Sequence, residues 1–171
     1  MKRAESLRPA DMAVALRLVM SPGVGYESLG YALGIGVGGA HRSVRRLEKA
    51  HLLVKERREV LRDNLSEFLI HGLRYAFYAE IGAETLGVPT AHASGVADSG
   101  RSFVWASASG SHRGEAILPL LPQALELPEA DPEVYLALAM IDSIRIGGAR
   151  ERREAGARLR AWLENPTRSH P

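Results

Sequence analysis

Two short segments with helical apolar spacing meet at Gly34, and this junction constrains the fold more than any other feature of the 171-residue chain. Leu29 and Leu33 share one side of the first segment. Gly34 tolerates the left-handed backbone that a sharp reversal needs, and Ile35 follows beneath the turn. The second segment places apolar residues at helical spacing, at Ala40, Val44 and Leu47. The pattern predicts helices over 26–33 and 39–51, crossed as a helix-turn-helix.

The opposite face of the second predicted helix is basic. Its cations stand at i, i+3, i+4 and i+7, which places them in one stripe of Arg42, Arg45, Arg46 and Lys49. His41 flanks the stripe, and the backbone N–H groups around Gly38 and Gly39 are suited to a phosphate. A helix that enters the major groove of DNA needs apolar residues behind and guanidinium groups in front. The sequence therefore predicts these seven residues as DNA contacts.

The run ALGIGVGGAHRSVRRLEKAHLLV resembles the core of bacterial winged-helix transcriptional regulators of the MarR-like kind. The positions that match are Leu33, Gly34, Ile35, Val44, Arg46, Leu47, Glu48, Ala50, Leu52 and Leu53. The chain departs from the family pattern at Gly36 and Gly38, where Ser is usual, and at His51, where Gly is usual. The resemblance covers about 60 residues. It implies a winged helix-turn-helix, and the later segments EFLIHGLRYAF, GVPTAHA and DPEVYLALAMIDSIRIGGARER are similar to uncharacterised bacterial helix-turn-helix proteins.

Charge is distributed unevenly although the net charge is only +2. Residues 1–62 carry 12 Lys and Arg against 6 Asp and Glu, whereas residues 63–171 carry 10 against 14. A basic first part favours a polyanionic partner. The chain has no Cys, which excludes disulfides, thiol nucleophiles and Cys-ligated metals. We expect a cytoplasmic protein, because no apolar run is long enough for a membrane span and no signal peptide is evident.

The remaining sequence predicts a mainly α fold with a small β component, in two domains at 1–62 and 63–171. In the first domain a helix over 10–20 precedes the helix-turn-helix, and strands over 52–54 and 55–61 would form a small wing. In the second, Asn64 and Glu67 fit a capping box that opens a helix. Segments 103–105 and 116–118 are typical of two strands joined by a Ser/Gly-rich turn. Asp131 and Pro132 begin a helix, and another follows over 149–163.

The second domain is expected to dimerise or to sense a signal. Polar residues beside Gly or Pro give a candidate ligand pocket, formed by His71, Arg74, Tyr75, Thr90 and His92. His71, His92 and His112 with Asp98 lack the spacing of a metal site, and no metal or other cofactor is predicted. The chain has no GxSxG, no P-loop and no GxGxxG with an acidic ribose ligand, so an enzyme is not expected.

The helices at 132–146 and 149–163 carry apolar stripes that could either pair across a two-fold axis or close the core of a single chain. The sequence thus favours a homodimeric, sequence-specific regulator that binds double-stranded DNA. The alternative is an adaptor or antitoxin-like protein whose helix-turn-helix binds a protein partner. A small enzyme that uses His71 or His92 is a third and weaker hypothesis.

Overall fold

The computed structural model describes residues 5–96 and 100–166, of which most are helical and a minority lie in strands. The first half of the chain forms α1 (Asp11–Met20), α2 (Tyr26–Ala32), α3 (Gly36–Lys49), β1 (Leu53–Val54) and β2 (Glu59–Val60). It continues into α4 (Arg62–Glu67), a π-helical turn (Phe68–Gly72) and α5 (Leu73–Ala76). The predicted class, mainly α with a small β component, is confirmed.

The second half combines a small sheet with the longest helices. Its elements are β3 (Glu84–Thr90), a 3₁₀ turn (Ala91–Ser94), β4 (Phe103–Ala106), β5 (His112–Ala116), a second 3₁₀ turn (Pro122–Glu126), α6 (Leu127–Ala130), α7 (Pro132–Ile146) and α8 (Ala149–Glu164). β3 pairs antiparallel with both β4 and β5, and these two pair in parallel with each other, so the three strands close on themselves. Gly87 of β3 faces Ala106 of β4 and His112 of β5, where the two ladders meet.

The core is one apolar cluster that includes residues from both halves of the chain. The helix α1 contributes almost every side chain, from Met12 to Met20, and α7 is buried from Ala137 through Arg145. Because α7 is covered on nearly all sides, its apolar stripe packs into the core of the single chain. The sequence had left open whether this stripe does so or pairs across a two-fold axis. The division at 62/63 stays a prediction.

Two predicted details in the middle of the chain were wrong. Asn64 does not cap a helix N-terminus, because α4 already begins at Arg62. Its Nδ2 instead donates to the carbonyl of His51, 2.8 Å away, beyond the end of α3. The strand predicted over 116–118 lies earlier, at His112–Ala116. It does not form a simple hairpin with β4, since β3 lies antiparallel to both and only their ends pair in parallel.

The predicted start of α7 is confirmed. Pro132 occupies the first turn, and the carboxylate of Asp131 accepts a hydrogen bond from the backbone N–H of Val134 at 3.3 Å. The predicted wing corresponds to a two-stranded hairpin in which Leu53 faces Val60 and Val54 faces Glu59.

Candidate nucleic-acid interface

The close crossing of α2 and α3 fixes where the basic helix lies. Gly30 allows this crossing, because a Cβ at that position would lie only 2.5 Å from the backbone carbon of Gly36. Gly34 adopts a φ of +64°, as the sequence predicted for the turn. The α3 helix begins at Gly36, three residues earlier than predicted, so its first turn is rich in glycine.

Behind α3, a buried ion pair joins it to α1. Asp11 is fully buried, and its carboxylate accepts from Arg46 Nε at 2.8 Å and from Arg46 Nη2 at 2.6 Å. Ser43 Oγ donates to the same carboxylate at 2.7 Å, and the backbone N–H of Arg8 donates at 2.8 Å. The hydrogen bonds and charge of Asp11 raise the pKa of Arg46. Both carboxylate oxygens of Asp11, and Nε and Nη2 of Arg46, therefore have partners, as burial requires.

Arg46 is consequently not part of the exposed stripe, and its predicted role as a DNA contact was wrong. It is only 7% exposed, because α1 presents Asp11 to the side of α3 that carries Ser43 and Arg46. Periodicity alone placed Arg46 with the other cations, since residues four apart on a helix share a face. The guanidinium instead holds α3 against α1.

The other three cations of the stripe face solvent. Arg42 is exposed, and no ion pair joins it to a carboxylate within residues 5–96 and 100–166. The side chains of Arg45 and Lys49 are 66% and 50% exposed. Their positions agree with the predicted outward-facing stripe, now reduced to these three residues.

One carboxylate lies across the end of the stripe. Glu5 Oε2 accepts a hydrogen bond from Lys49 Nζ at 3.0 Å and lies 3.6 Å from Arg45 Nε. The hydrogen bond from Lys49, and then the charges of Lys49 and Arg45, lower the pKa of Glu5. The pair is exposed to solvent, so salt screens it and competing phosphates can displace it.

His41 lies at the edge of the stripe in a stack of three side chains. Its ring lies parallel to that of Tyr26, with 3.5 Å between centroids, and the Arg58 guanidinium lies 4.8 Å from the Tyr26 centroid. Arg58 also donates to the carbonyls of Val24 and Gly23, at 2.9 and 3.0 Å. Through Tyr26 of α2, this stack connects α3 to the base of the β1–β2 hairpin.

The two predicted glycine contacts differ in their surroundings. Gly38 is exposed, and a Cβ there would meet only the Arg42 guanidinium, at 3.3 Å. Gly39 is half-buried, and its Cβ would lie 3.2 Å from Cβ of Ile35. Of the two, Gly38 presents the more open backbone, whereas Gly39 mainly permits α3 to pack over Ile35.

The candidate ligand pocket does not form from the five predicted residues. Thr90 is fully buried, and its hydroxyl donates to Asp142 at 2.6 Å, so it cannot line an accessible pocket. Exposed His71 borders a different cleft of about 570 Å³, which His51 and Glu67 also line. Tyr75 is exposed beneath the Arg74 guanidinium, 5.3 Å from its ring centroid.

His92 lies on the 3₁₀ turn after β3, where its Nδ1 accepts a hydrogen bond from the backbone N–H of Phe103 at 3.4 Å. Asp98, weighed above with the histidines, lies outside the described residues. Within the described part of the chain, no three His, Asp or Glu side chains are grouped as a metal site requires. No helix there has the length and apolar character needed to cross a lipid bilayer.

Sequence reasoning missed three residues that shape this surface: Asp11, Glu5 and Val37. Asp11 gave a misleading signal, since an acidic residue in the first turn of a helix is usually exposed and stabilised by the helix dipole. Glu5 gave none, because only the folded chain brings it to α3. Val37 is 44% exposed in the first turn of α3, and a valine within a glycine-rich run does not reveal its face.

Comparison with known proteins identifies no relative for this arrangement: no protein-family model, curated protein or solved structure matches the chain.

Proposed function

We propose that the chain is a sequence-specific DNA-binding regulator that inserts α3 into the major groove. In this proposal α1, α2 and α3 with the β1–β2 hairpin are a winged helix-turn-helix. Two copies bind as a homodimer to half-sites about one helical turn, or 34 Å, apart.

The observation that carries the proposal is the difference between the two sides of α3. On one side Arg46 is locked to buried Asp11, which holds the helix in place. On the other side Arg42, Arg45 and Lys49 face solvent, with Glu5 as their only carboxylate partner within residues 5–96 and 100–166. A helix held from behind, with exposed guanidinium groups in front, is suited to phosphates and to the acceptor edge of guanine.

The hairpin supports the winged form of the motif. Lys55 and Arg57 are exposed in the loop between β1 and β2. The root of that loop is held by Arg58, which is bonded to the α1–α2 connection. A second basic element at a fixed position beside α3 adds phosphate contacts and sets the orientation of the protein on the duplex.

A salt titration tests the proposal. The variant Arg42→Ala/Arg45→Ala should bind DNA more weakly and reduce the slope of log affinity against log salt by about 2, since each lost phosphate contact releases one counterion fewer. The matched control is Arg153→Ala/Arg160→Ala, which removes the same charge from exposed positions of α8. Fluorescence anisotropy over a salt series measures both. Equal slopes for the two double variants would overturn the assignment.

A second candidate function, binding of a protein partner, is favoured by one observation away from α3, which places the docking surface outside the predicted helix-turn-helix. Tyr75, Tyr78 and Leu118 are large apolar residues left exposed. Arg145 donates to the carbonyls of Tyr78 and Leu118, at 3.4 and 3.1 Å, which places those two residues side by side. Exposed apolar residues in one patch, as Tyr78 and Leu118 are, are typical of a surface that another chain covers.

The two functions differ in what the patch does. If the chain is an adaptor, Tyr75→Ser/Tyr78→Ser abolishes capture of a protein partner, and the purified chain does not bind DNA at low salt. If it is a regulator, the purified chain binds DNA at low salt, and the patch variant binds that DNA as the wild type does.

A further inference from the structure

The first turn of α3 exposes one apolar side chain between two glycines. Val37 is 44% exposed and lies between Gly36 and Gly38. A Cβ at Gly36 would meet nothing within 4 Å, and one at Gly38 would meet only the end of Arg42. Val37 is therefore the most prominent side chain of this turn, with open space on either side.

The position of Val37 is fixed by the same contacts that fix α3. The backbones of Gly30 and Gly36 touch, and Gly39 lies over Ile35. Valine is branched at Cβ and keeps nearly one side-chain rotamer in a helix. Its two methyl groups are thus held rigidly, which lowers the entropy lost when they contact another molecule.

Val37 lies at the border of the side of α3 that carries the exposed cations, because it is eight residues from Arg45 but five from Arg42. His41 follows it by one helical turn, and Arg45 follows by two, so the three residues form a line along the helix. An apolar group at the N-terminal end of such a line is placed where a groove-inserted helix comes closest to base edges. The apolar feature in the major groove is the C5-methyl group of thymine.

Resting on the proposed function, we infer that Val37 is a specificity-determining residue that contacts the C5-methyl of one thymine in each half-site. Arg42, Arg45 and Lys49 supply affinity through phosphates and acceptor edges. Val37 supplies preference for a T·A pair at one position without a hydrogen bond.

Replacement of thymine by uracil tests this inference, because uracil pairs identically and lacks only the methyl group. DNA sites are first selected from a random library with the wild-type protein, and each thymine of one half-site is then replaced singly. The wild type should lose about three- to tenfold in affinity at one position, the size expected for one buried methyl group. Val37→Ala should bind the thymine and uracil forms equally at that position.

The control variant is Leu136→Ala, which removes an apolar side chain of similar exposure, 37%, from α7. It should discriminate thymine from uracil as the wild type does. Because Val37 is exposed and Ala favours helices, Val37→Ala should fold normally, as circular dichroism will show.

Two failures are distinguishable. If no DNA is enriched from the library, the proposed function and this inference both fall. If DNA is enriched but Val37→Ala keeps the wild-type discrimination at every thymine, only the role of Val37 is overturned.

Discussion

The two halves of the molecule each contain a buried Asp–Arg pair, and the pairs serve different arrangements. In the first half, Asp11 of α1 binds Arg46 of α3, 35 residues away. In the second half, Asp142 and Arg145 lie three residues apart on α7, 2.7 Å from each other. The first pair joins two helices. The second pair lies within one helix, and hydrogen bonds from its two side chains connect that helix to other elements.

The surroundings of the second pair explain its role. Asp142 accepts from Thr90 at 2.6 Å and from Trp105 Nε1 at 2.7 Å, which attaches α7 to β3 and β4. Arg145 donates to the carbonyl of Phe77 at 3.0 Å as well as to those of Tyr78 and Leu118. Burial raises the pKa of Asp142, against the lowering effect of Arg145 and of the two hydrogen bonds.

A buried Asp–Arg pair is therefore compatible both with a helix that is covered on all sides and with a helix that keeps one side exposed. On α7 the pair lies in a helix buried nearly all round. On α3, Arg46 pairs with Asp11 on the side that packs against α1, so the opposite side remains exposed to a ligand. What separates the two helices is how much of each one the rest of the chain covers.

Removal of Arg46 should have the largest effect. Arg46→Ala leaves Asp11 buried without its charged partner, which should lower the free energy of unfolding by about 3–5 kcal/mol. Arg42→Ala removes the same side chain from the exposed front of α3 and should change stability by less than about 0.5 kcal/mol. Urea denaturation measures both, and similar losses would break the distinction between the two sides of α3.

Neutralising Asp142 should cost less. Asp142→Asn keeps the shape and one acceptor, and Arg145 keeps three backbone carbonyls, so we expect a loss of about 1.5–3 kcal/mol. The exposed carboxylate of Glu80 gives a control, Glu80→Gln, that should leave stability nearly unchanged. The same denaturation experiment applies, followed by the fluorescence of the two tryptophans, Trp105 and Trp162. A loss equal to that of Arg46→Ala would remove the contrast between the pairs.

Alanine substitutions at Gly30, in the α2–α3 crossing, and at Gly38, on the exposed side of α3, should change stability in opposite directions. Gly30→Ala forces a Cβ against the backbone of Gly36 and should destabilise the fold by about 1–3 kcal/mol. Gly38→Ala meets only a flexible side-chain end and should stabilise by up to about 1 kcal/mol through helix propensity. Thermal unfolding compares the two variants. A stabilised Gly30→Ala would contradict the close contact between Gly30 and the backbone of Gly36.

The smallest expected effect concerns the carboxylate in front of α3. Glu5→Gln frees Lys49 and Arg45, so DNA affinity at low salt should rise by about two- to threefold, in line with the strength of exposed ion pairs. The pKa of Glu5 is lowered from 4.5, so its pairing is complete above that pH and is lost as the pH falls through the folded-state pKa. The advantage of Glu5→Gln should therefore shrink below pH 4.5.

Glu126→Gln, an exposed change of the same kind in the second 3₁₀ turn, serves as the control for this measurement. Anisotropy titrations at several pH values give the comparison. An equal gain in affinity from both variants would mean that Glu5 acts only through net charge.

Local signals in the sequence were sufficient for several elements. Gly34 ends α2 with a left-handed residue, and Asp131 with Pro132 begins α7, because both features depend on residues adjacent in the chain. The strand β3 was missed, since Gly87 and Pro89 are residues that strands usually avoid. Pairing with β4 and β5 on either side compensates for that poor propensity.

The sequence predicted part of the candidate site. Spacing alone placed Arg42, Arg45 and Lys49 on one face of a helix, and the structure leaves all three exposed. Spacing could not separate Arg46 from these three residues, because Asp11, which pairs with Arg46, is 35 positions away. Thr90 was misassigned for the same reason, as Asp142 lies 52 positions further along.

By itself, then, the sequence determined the helices, the tight turn at Gly34 and the basic character of α3, since these depend on backbone preferences and on side chains within one or two helical turns. Only the tertiary structure decided which guanidinium groups face solvent and which are buried. The carboxylate that compensates buried Arg46 lies 35 positions away in the chain, and neither periodicity nor composition specifies where such a partner lies.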